Sequence, residues 1–228
     1  MKKTILIILF SLFSLFFYTQ NIKVVYAKGY KNYKNITNEK PKIFKGLNYE
    51  LIISNNEATF SYIDNLSINE SNKKFIGRGG GDGLYYKNSF TKEKLHQVIS
   101  PITNKLYLIY SKTNEIKWTL TNESKKINGY SCYKAIGNKS FINPLNEKKM
   151  SVKIIAWYTP EINVSFGPSG YDGLPGLVLE TKTGSFYFIA EKIIFNENNI
   201  IKKPTKGEKI SQNDYDLKLK QEMMHIKM

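Results

Sequence analysis

The sequence predicts a mainly β protein with a single twisted antiparallel sheet and a helix at its C-terminus. Two observations predict the sheet: short runs rich in Val, Ile, Phe and Tyr recur along the chain, and clusters of Asn, Gly, Ser and Lys separate them. The chain also contains 16 Tyr, 13 Phe and two Trp, which is ample aromatic material for a core. The candidate strands are residues 22–26, 49–53, 58–63, 105–110, 116–120, 129–135, 152–158, 177–181 and 185–195.

Local signals predict two hairpins and the terminal helix. Residues 54–57 should turn the second strand into the third, and residues 181–184 should form a similar turn later in the chain. Asn and Gly in these turns adopt the positive φ that tight hairpins require. Ser211 and Asp214 have the spacing of a capping pair ahead of apolar residues, which predicts a helix at the C-terminus.

Three other segments lack a regular hydrophobic pattern. Residues 28–46 and 138–149 are polar and rich in lysine and asparagine, so they are predicted to be loops. Residues 93–99 are too short to be assigned as a helix. Because neither composition nor repeats divide the chain, residues 20–228 are predicted to form a single domain.

The N-terminus has the organisation of a secretory signal. Lys2 and Lys3 form a cationic region, and residues 4–17 form an uncharged, mostly apolar run of 14 residues, which is too short to span a membrane. We expect residues 1–19 to be a signal peptide cleaved near Gln20. No cysteine lies where a lipid could be attached, so the predicted mature protein is soluble and is periplasmic or secreted.

The chain is strongly basic. Its 34 Lys and Arg outnumber 19 Asp and Glu, and removal of the two lysines of residues 1–19 leaves a net charge of +13. Only Arg78 is an arginine, whereas guanidinium groups are the usual contacts to phosphate and guanine. The scattered lysines fit an AT-rich genome as well as a binding surface, so we predict no nucleic-acid partner.

Several kinds of reactive site are not predicted. With only His96, His225 and the single Cys132, no set of metal ligands is indicated, and no cofactor is expected. Cys132 cannot form an internal disulfide and is predicted to be a small buried residue. Residues 167–171 lack the spacing of a serine nucleophile elbow. Residues 77–83 are rich in glycine without a phosphate-binding spacing, which predicts a flexible surface loop.

The segment 156–180 differs in composition from the rest of the chain. Four glycines lie at every third position from 167 to 176, but three triplets are too few for a collagen-like helix. Pro168 and Pro175 stiffen the same stretch. We therefore predict an ordered connection between two strands, packed against the sheet by Trp157 and Leu177.

The same segment carries a family resemblance. Residues 173–178 read GLPGLV, which resembles the hexapeptide of the GLPGLI family with Val178 in place of the final isoleucine. Blocks at residues 118–120, 126–135 and 156–162 are similar to other blocks of that family, in the same order. The sequence differs from the family pattern at two places, both in connections between strands. Asn163 lies where the family tends to have proline, and residues 138–150 form a longer turn. The resemblance implies a protein exported across the inner membrane of a two-membrane bacterium, often associated with outer-membrane receptor systems. The family's molecular function is unknown, and the resemblance supplies no catalytic residue.

These observations favour a non-catalytic binding or accessory module of the cell envelope. We expect a half-barrel, by analogy with lipoprotein carriers, whose concave aromatic face binds an apolar ligand or an envelope partner protein. The aromatic residues would equally serve as core if the sheet wraps around a helix. A hydrolase of envelope polymers remains an alternative if two acids meet in a concave pocket, and a purely structural assembly protein is another. The candidate binding residues are Trp157, Tyr158, Pro168, Tyr171, Leu174 and Pro175.

Overall fold

The computed structural model describes residues 21–32, 40–64, 68–111, 116–142 and 148–225. The predicted signal peptide therefore lies outside the described residues. The strands are β1 (Ile22–Tyr30), β2 (Lys42–Ser54), β3 (Glu57–Tyr62), β4 (Leu84–Asn88), β5 (Glu93–Ile99), β6 (Leu106–Ser111), β7 (Lys117–Ile127), β8 (Tyr130–Ile142), β9 (Lys149–Thr159), β10 (Leu177–Thr183), β11 (Phe186–Phe195) and β12 (Glu208–Ser211). The helices are α1 (Glu70–Lys73) and α2 (Gln212–His225), and a 3-10 turn spans Pro168–Gly170.

All twelve strands form one open sheet, in the order β12-β6-β5-β4-β3-β2-β1-β11-β10-β9-β8-β7. Neighbouring strands are antiparallel except β12, which runs parallel to β6. The sheet curls, because α2 contacts both β6 and β8, which lie near opposite ends of the strand order. The predicted single antiparallel sheet with a C-terminal helix is thus confirmed. In the described part of the chain, no helix is long and apolar enough to cross a membrane.

The predicted turns and cap are also confirmed. Asn55, with φ of 54°, lies in the turn between β2 and β3, and Gly184, with φ of 59°, lies between β10 and β11. At the start of α2 the Asp214 backbone N–H donates to Ser211 Oγ over 3.2 Å, and the Ser211 hydroxyl donates to Asp214 Oδ2 over 2.6 Å. These bonds satisfy a donor that the first turn of a helix otherwise leaves unpaired.

The prediction of loops at 28–46 and 138–149 is wrong in part. Strand β1 continues to Tyr30 and β2 begins at Lys42, while β8 continues to Ile142 and β9 begins at Lys149. These polar ends extend because each pairs with its neighbour, as Tyr30 does with Lys42. Ladder hydrogen bonds depend on the backbone, so exposed polar side chains do not prevent them.

The sequence did not predict β4, β5 or β12. Strand β5 coincides with the unassigned residues 93–99, and β4 and β5 alternate poorly because lysines occupy inward positions. Those inward lysines, Lys87 and Lys94, pair directly across the two strands. These two lysines interrupt the apolar pattern of β4 and β5, which is why the sequence did not predict the strands. The interruption lies on the inner face of the sheet.

The main core lies on that inner face. Tyr49 stacks on Phe60 with ring centroids 5.4 Å apart, and Phe188 meets both rings edge-on at 5.0 and 5.4 Å. Tyr26 is fully buried and donates its hydroxyl to the backbone oxygen of Val178 over 2.5 Å. Cys132 is buried in the same core, and burial raises the pKa of its thiol to about 11. Many aromatic residues are thus core, and the predicted burial of Cys132 is confirmed.

Candidate functional site

A cavity of about 240 Å³ lies on the inner face of β3 to β6. One row of its wall runs directly across four strands, because these residues are successive cross-strand partners: Phe60, Tyr85, His96 and Ile109. Three of the four are aromatic. The rings of Tyr85 and His96 stack on each other 3.9 Å apart at an interplanar angle of 13°, and Phe60 meets Tyr85 edge-on at 62°.

The next row, two residues along each strand, is more polar. It consists of Ala58, Lys87, Lys94 and Ser111, again paired in succession. All four line the cavity. Because side chains alternate across a strand, both rows point to the same side of the sheet. The cavity wall therefore has an aromatic row beside a cationic one.

The opposite wall comes from distant parts of the chain. It includes the connection from Phe166 to Asp172, the first turn of α2 with Gln212 and Tyr215, and two residues from the other end of the sheet, Ile116 and Lys139. These segments come together because the sheet is curled, so that β6 and β8 both contact α2.

The connection between β9 and β10 is ordered and packed, as the sequence predicts. Ser169 has the left-handed backbone of φ 53° and ψ 31°, and it is buried. The Trp118 indole N–H donates to the backbone oxygen of Asp172 over 2.8 Å. Gly176 has φ of 147°, and a Cβ there would lie 2.1 Å from the Thr159 backbone oxygen. Leu177 is fully buried in the main core. The loop therefore has one shape, set by backbone angles and by contacts with the sheet.

An ion-pair cluster fixes this connection to β4 and β5. Asp172 Oδ1 lies 3.1 Å from Lys87 Nζ and 2.9 Å from Lys94 Nζ. The three side chains are only 5%, 11% and 19% exposed, respectively. Burial lowers the pKa of Lys87, and the charge of Asp172 opposes this effect. Two ammonium groups share one carboxylate oxygen, so the cluster carries a surplus of positive charge.

A second carboxylate, Asp82, lines another part of the cavity. The Tyr85 hydroxyl donates to Asp82 Oδ1 over 3.0 Å, and His96 Nε2 donates to the Asp82 backbone oxygen over 2.7 Å. Burial and the charge of Asp82 raise the pKa of Tyr85 well above its usual value. Tyr85 therefore remains a protonated hydrogen-bond donor at neutral pH.

Asp82 is positioned by the glycine-rich segment 77–83, which the sequence predicted to be a flexible surface loop. The structure differs from that prediction, because the segment contacts a buried lysine and the aromatic core. The fully buried Lys28 donates to the backbone oxygens of Ile76 and Gly80 over 2.6 Å each. A Cβ at Gly81 would lie 2.6 Å from the Tyr49 ring, so the backbone packs directly on the core.

Lys28 has an unusual environment for an ammonium group. It lies 5.0 Å from the Phe188 ring centroid and 5.2 Å from that of Tyr49, whose hydroxyl also accepts from Lys28 Nζ over 3.3 Å. Burial lowers the pKa of Lys28 to about 7, while the charge of Asp82 opposes the decrease. The sheet thus holds the glycine-rich segment through a buried lysine.

The six candidate binding residues do not form one site. Tyr171 lines the cavity. Tyr158 and Leu174 are buried together in a separate core cluster. The remaining three are Pro168, which is buried, Pro175, which is exposed, and Trp157, which is half-buried with Lys125 Nζ 4.4 Å from its ring centroid. Sequence reasoning did not select the polar cavity residues Asp82, Lys87, Lys94, His96 and Asp172.

The described ranges contain no group of three or more His, Cys, Asp or Glu side chains placed to hold a metal ion. Two acids, Asp82 and Asp172, line the same cavity. The chemical groups present are thus two carboxylates, three lysines, a histidine and several tyrosines. They can bind an organic molecule through ring contacts, hydrogen bonds and charge.

Comparison with known proteins gives a family match and a fold match. A family described as "Protein of unknown function (Porph_ging)" matches residues 143–180, a segment that includes the GLPGLV hexapeptide. No curated protein matches the chain. Two solved structures, described as "Structure of PNGF-II in P21 space group" and "Structure of PNGF-II in C2 space group", are similar to 86% and 88% of this chain. Both have a TM-score of 0.54 and 19% sequence identity, and the match covers 32% of each of those chains. The present chain therefore spans about a third of their length, and the similarity concerns the fold alone.

Proposed function

We propose that this protein is an exported, non-catalytic binding module whose cavity holds a small ligand with an apolar, ring-shaped body. The observation that carries the proposal is the row of aromatic residues Phe60, Tyr85 and His96, which lie on three paired strands and line the cavity. Aromatic walls with a few placed polar groups are typical of small-molecule sites.

The size of the cavity supports a small ligand. Its volume of about 240 Å³ lies just below the range of roughly 300 to 1,000 Å³ that is common for drug-sized ligands. A single ring with one or two polar substituents fits such a space. The wall is also preformed, because β-strand pairing positions the rings before any ligand arrives, and preformed sites lose less entropy on binding.

The burial of the predicted binding residues favours this cavity over the loop as the binding site. Tyr158 and Leu174 belong to a core cluster with Val178. A partner protein could reach these side chains only after the cluster had opened, which removes stabilising contacts. In the cavity, Tyr85 and His96 are half-buried and line the space without such a change.

The proposed place of work is the periplasm or the exterior of a two-membrane bacterium. The cationic and apolar segments of residues 1–17 support export. An envelope or outer-membrane receptor protein is the kind of partner to which such a module would present its ligand, as the resemblance to the GLPGLI family implies.

Titration of the isotope-labelled protein with indole and benzamide, followed by heteronuclear NMR, tests the binding proposal. We expect shifts in the amide signals of β3 to β6, and we expect Gln212→Trp to abolish them by filling part of the cavity that Gln212 lines. Leu217→Trp is the matched control, because Leu217 is an exposed residue of the same helix. Shifts that persist in Gln212→Trp, or no shifts at millimolar probe, would place the function elsewhere.

A hydrolase is the second candidate, because Asp82 and Asp172 line the same cavity. Two carboxylates are the usual groups for acid and base roles in glycoside hydrolysis. Against this, Asp172 Oδ1 already accepts from two lysines, so this oxygen is engaged in the ion-pair cluster that fixes the connection to the sheet. Release of soluble fragments from envelope polymers by the wild type, and not by Asp82→Asn, would replace binding by hydrolysis.

A further inference from the structure

Lys87 and Lys94, in the cavity wall, are arranged in a way that does not by itself stabilise the fold. Lys87 and Lys94 are directly opposite each other on β4 and β5. Like charges in this position destabilise a pair of strands. Both are largely buried, and both contact the same oxygen of Asp172. One carboxylate therefore compensates two ammonium groups.

Among the residues that the structure describes, the cavity is lined by one further carboxylate, that of Asp82. Asp82 accepts from the Tyr85 hydroxyl, and its charge acts on the buried Lys28 beneath the glycine-rich segment. The Asp82 side chain is thus engaged by Tyr85, whereas Lys87 and Lys94 both contact Asp172.

The aromatic row lies immediately beside the lysine pair. Tyr85 and His96 are each two residues from Lys87 and Lys94 on the same face of their strands. A ligand ring packed beside Tyr85 and His96 would therefore bring a substituent within reach of the two ammonium groups. A buried ammonium with N–H donors to spare binds an oxyanion through short, charge-assisted hydrogen bonds.

From this geometry we infer that the ligand is a small organic anion, with a ring on the Tyr85 and His96 wall and a carboxylate or similar oxyanion at Lys87 and Lys94. The inference rests on the proposed function, because it names the chemical class of ligand for the same cavity. The competing explanation is that the lysines only fix Asp172 and its loop to the sheet. In that case, the charge of a ligand would not affect its affinity.

Calorimetric titration with benzoate, benzamide and benzylammonium separates these explanations. The three probes share a ring and differ little in size, while their charges are negative, neutral and positive. We expect benzoate to bind at least about tenfold more tightly than benzamide, the equivalent of one charge-assisted hydrogen bond. Added sodium chloride should reduce this advantage. Benzylammonium should bind more weakly than benzamide.

Variants assign the effect to the lysine pair. Lys94→Met keeps the length of the side chain and should bring benzoate to the affinity of benzamide. Lys203→Met is the matched control, because Lys203 is a half-exposed lysine whose partner is Glu93 and which does not line the cavity. It should leave the preference for benzoate unchanged. The wild-type comparison needs no variant, so it remains decisive if Lys94→Met does not fold.

The outcomes distinguish this inference from the proposed function. If benzoate and benzamide bind equally, the ligand is not selected for negative charge and the inference fails, while the aromatic cavity stands as a binding site. Tightest binding of benzylammonium would show that Asp82 dominates the cavity and would also overturn the inference. If none of the three probes binds in the cavity, the proposed function fails together with the inference.

Discussion

Lys28 should make the stability of the protein increase with pH above neutrality. Its pKa is about 7 in the folded protein, because burial disfavours the ammonium form, compared with 10.5 for an ordinary lysine. Between these two values the unfolded chain binds more protons than the folded one. The free energy of unfolding therefore rises with pH in this range, and below pH 7 the contribution is constant.

The size of the effect follows from the same values. Each pKa unit corresponds to about 1.36 kcal/mol, and at pH 7 the folded lysine is already half deprotonated. Integration from pH 7 to pH 9 gives an increase of about 2 kcal/mol in the free energy of unfolding. Tyr26 and Tyr49, whose pKa values are raised by burial, act in the opposite direction only at higher pH.

Urea denaturation at pH 6, 7, 8 and 9 measures this effect when the wild type is compared with Lys28→Met. The variant removes the titrating group but keeps a side chain of similar length, so the difference between the two proteins cancels the other ionisable groups. Lys203→Met, in which the lost lysine is half-exposed, is the control for removing a lysine from the surface. A difference between wild type and Lys28→Met that does not change with pH would refute the buried-charge argument.

Four further predictions concern other parts of the chain. Gly176→Ala should lower the free energy of unfolding by about 3 to 5 kcal/mol, because its Cβ would meet a backbone oxygen at 2.1 Å. Gly184→Ala, where nothing lies within 4 Å, should cost only about 1 kcal/mol in urea denaturation, and equal losses would contradict this reasoning. Leu174→Ala should cost roughly 2 to 5 kcal/mol, so a variant with an unchanged melting temperature would show that this side chain is not core. Thermal unfolding should coincide with and without reductant because Cys132 has no second cysteine in the chain, and a lower midpoint in reductant would indicate an intermolecular bridge. N-terminal sequencing of the protein from an envelope fraction should begin near Gln20, whereas recovery of the uncleaved chain from the cytosol would contradict export.

Strand β1 shows why some strands could be predicted from the sequence. In β1, Ile22, Val24 and Tyr26 are fully buried and alternate with less buried residues, which is the pattern that predicts a strand. In β4 and β5, Lys87 and Lys94 occupy equivalent inward positions, so the alternation of apolar and polar residues is lost. The cavity was missed for the same reason, because the residues that make it polar also conceal the strands that carry it.

The glycine-rich segments show a second limit of sequence reasoning. Composition indicates that glycine permits unusual backbone angles, but it does not show whether this permits motion or close packing. At Gly167 the backbone is extended, with φ of −163°, and the glycine is needed because a Cβ would meet the Tyr171 backbone oxygen at 2.1 Å. At Gly80 the deciding contact is Lys28, which lies 52 residues away in the sequence. Only the fold brings such partners together.

Two connecting segments line the cavity: the glycine-rich segment 77–83 and the connection between β9 and β10. Lysines of the sheet bind both of them. Lys28 in β1 binds the backbone of the glycine-rich segment and thereby positions Asp82, while Lys87 and Lys94 bind Asp172 in the connection between β9 and β10. In the sequence these lysines are indistinguishable from the many exposed ones. Segments of this composition lose considerable conformational entropy when they are fixed. The lysine contacts offset this entropy loss when the protein folds. A ligand therefore encounters a cavity whose shape is already defined. The same contacts that stabilise the fold therefore favour binding, which supports a binding function for the cavity.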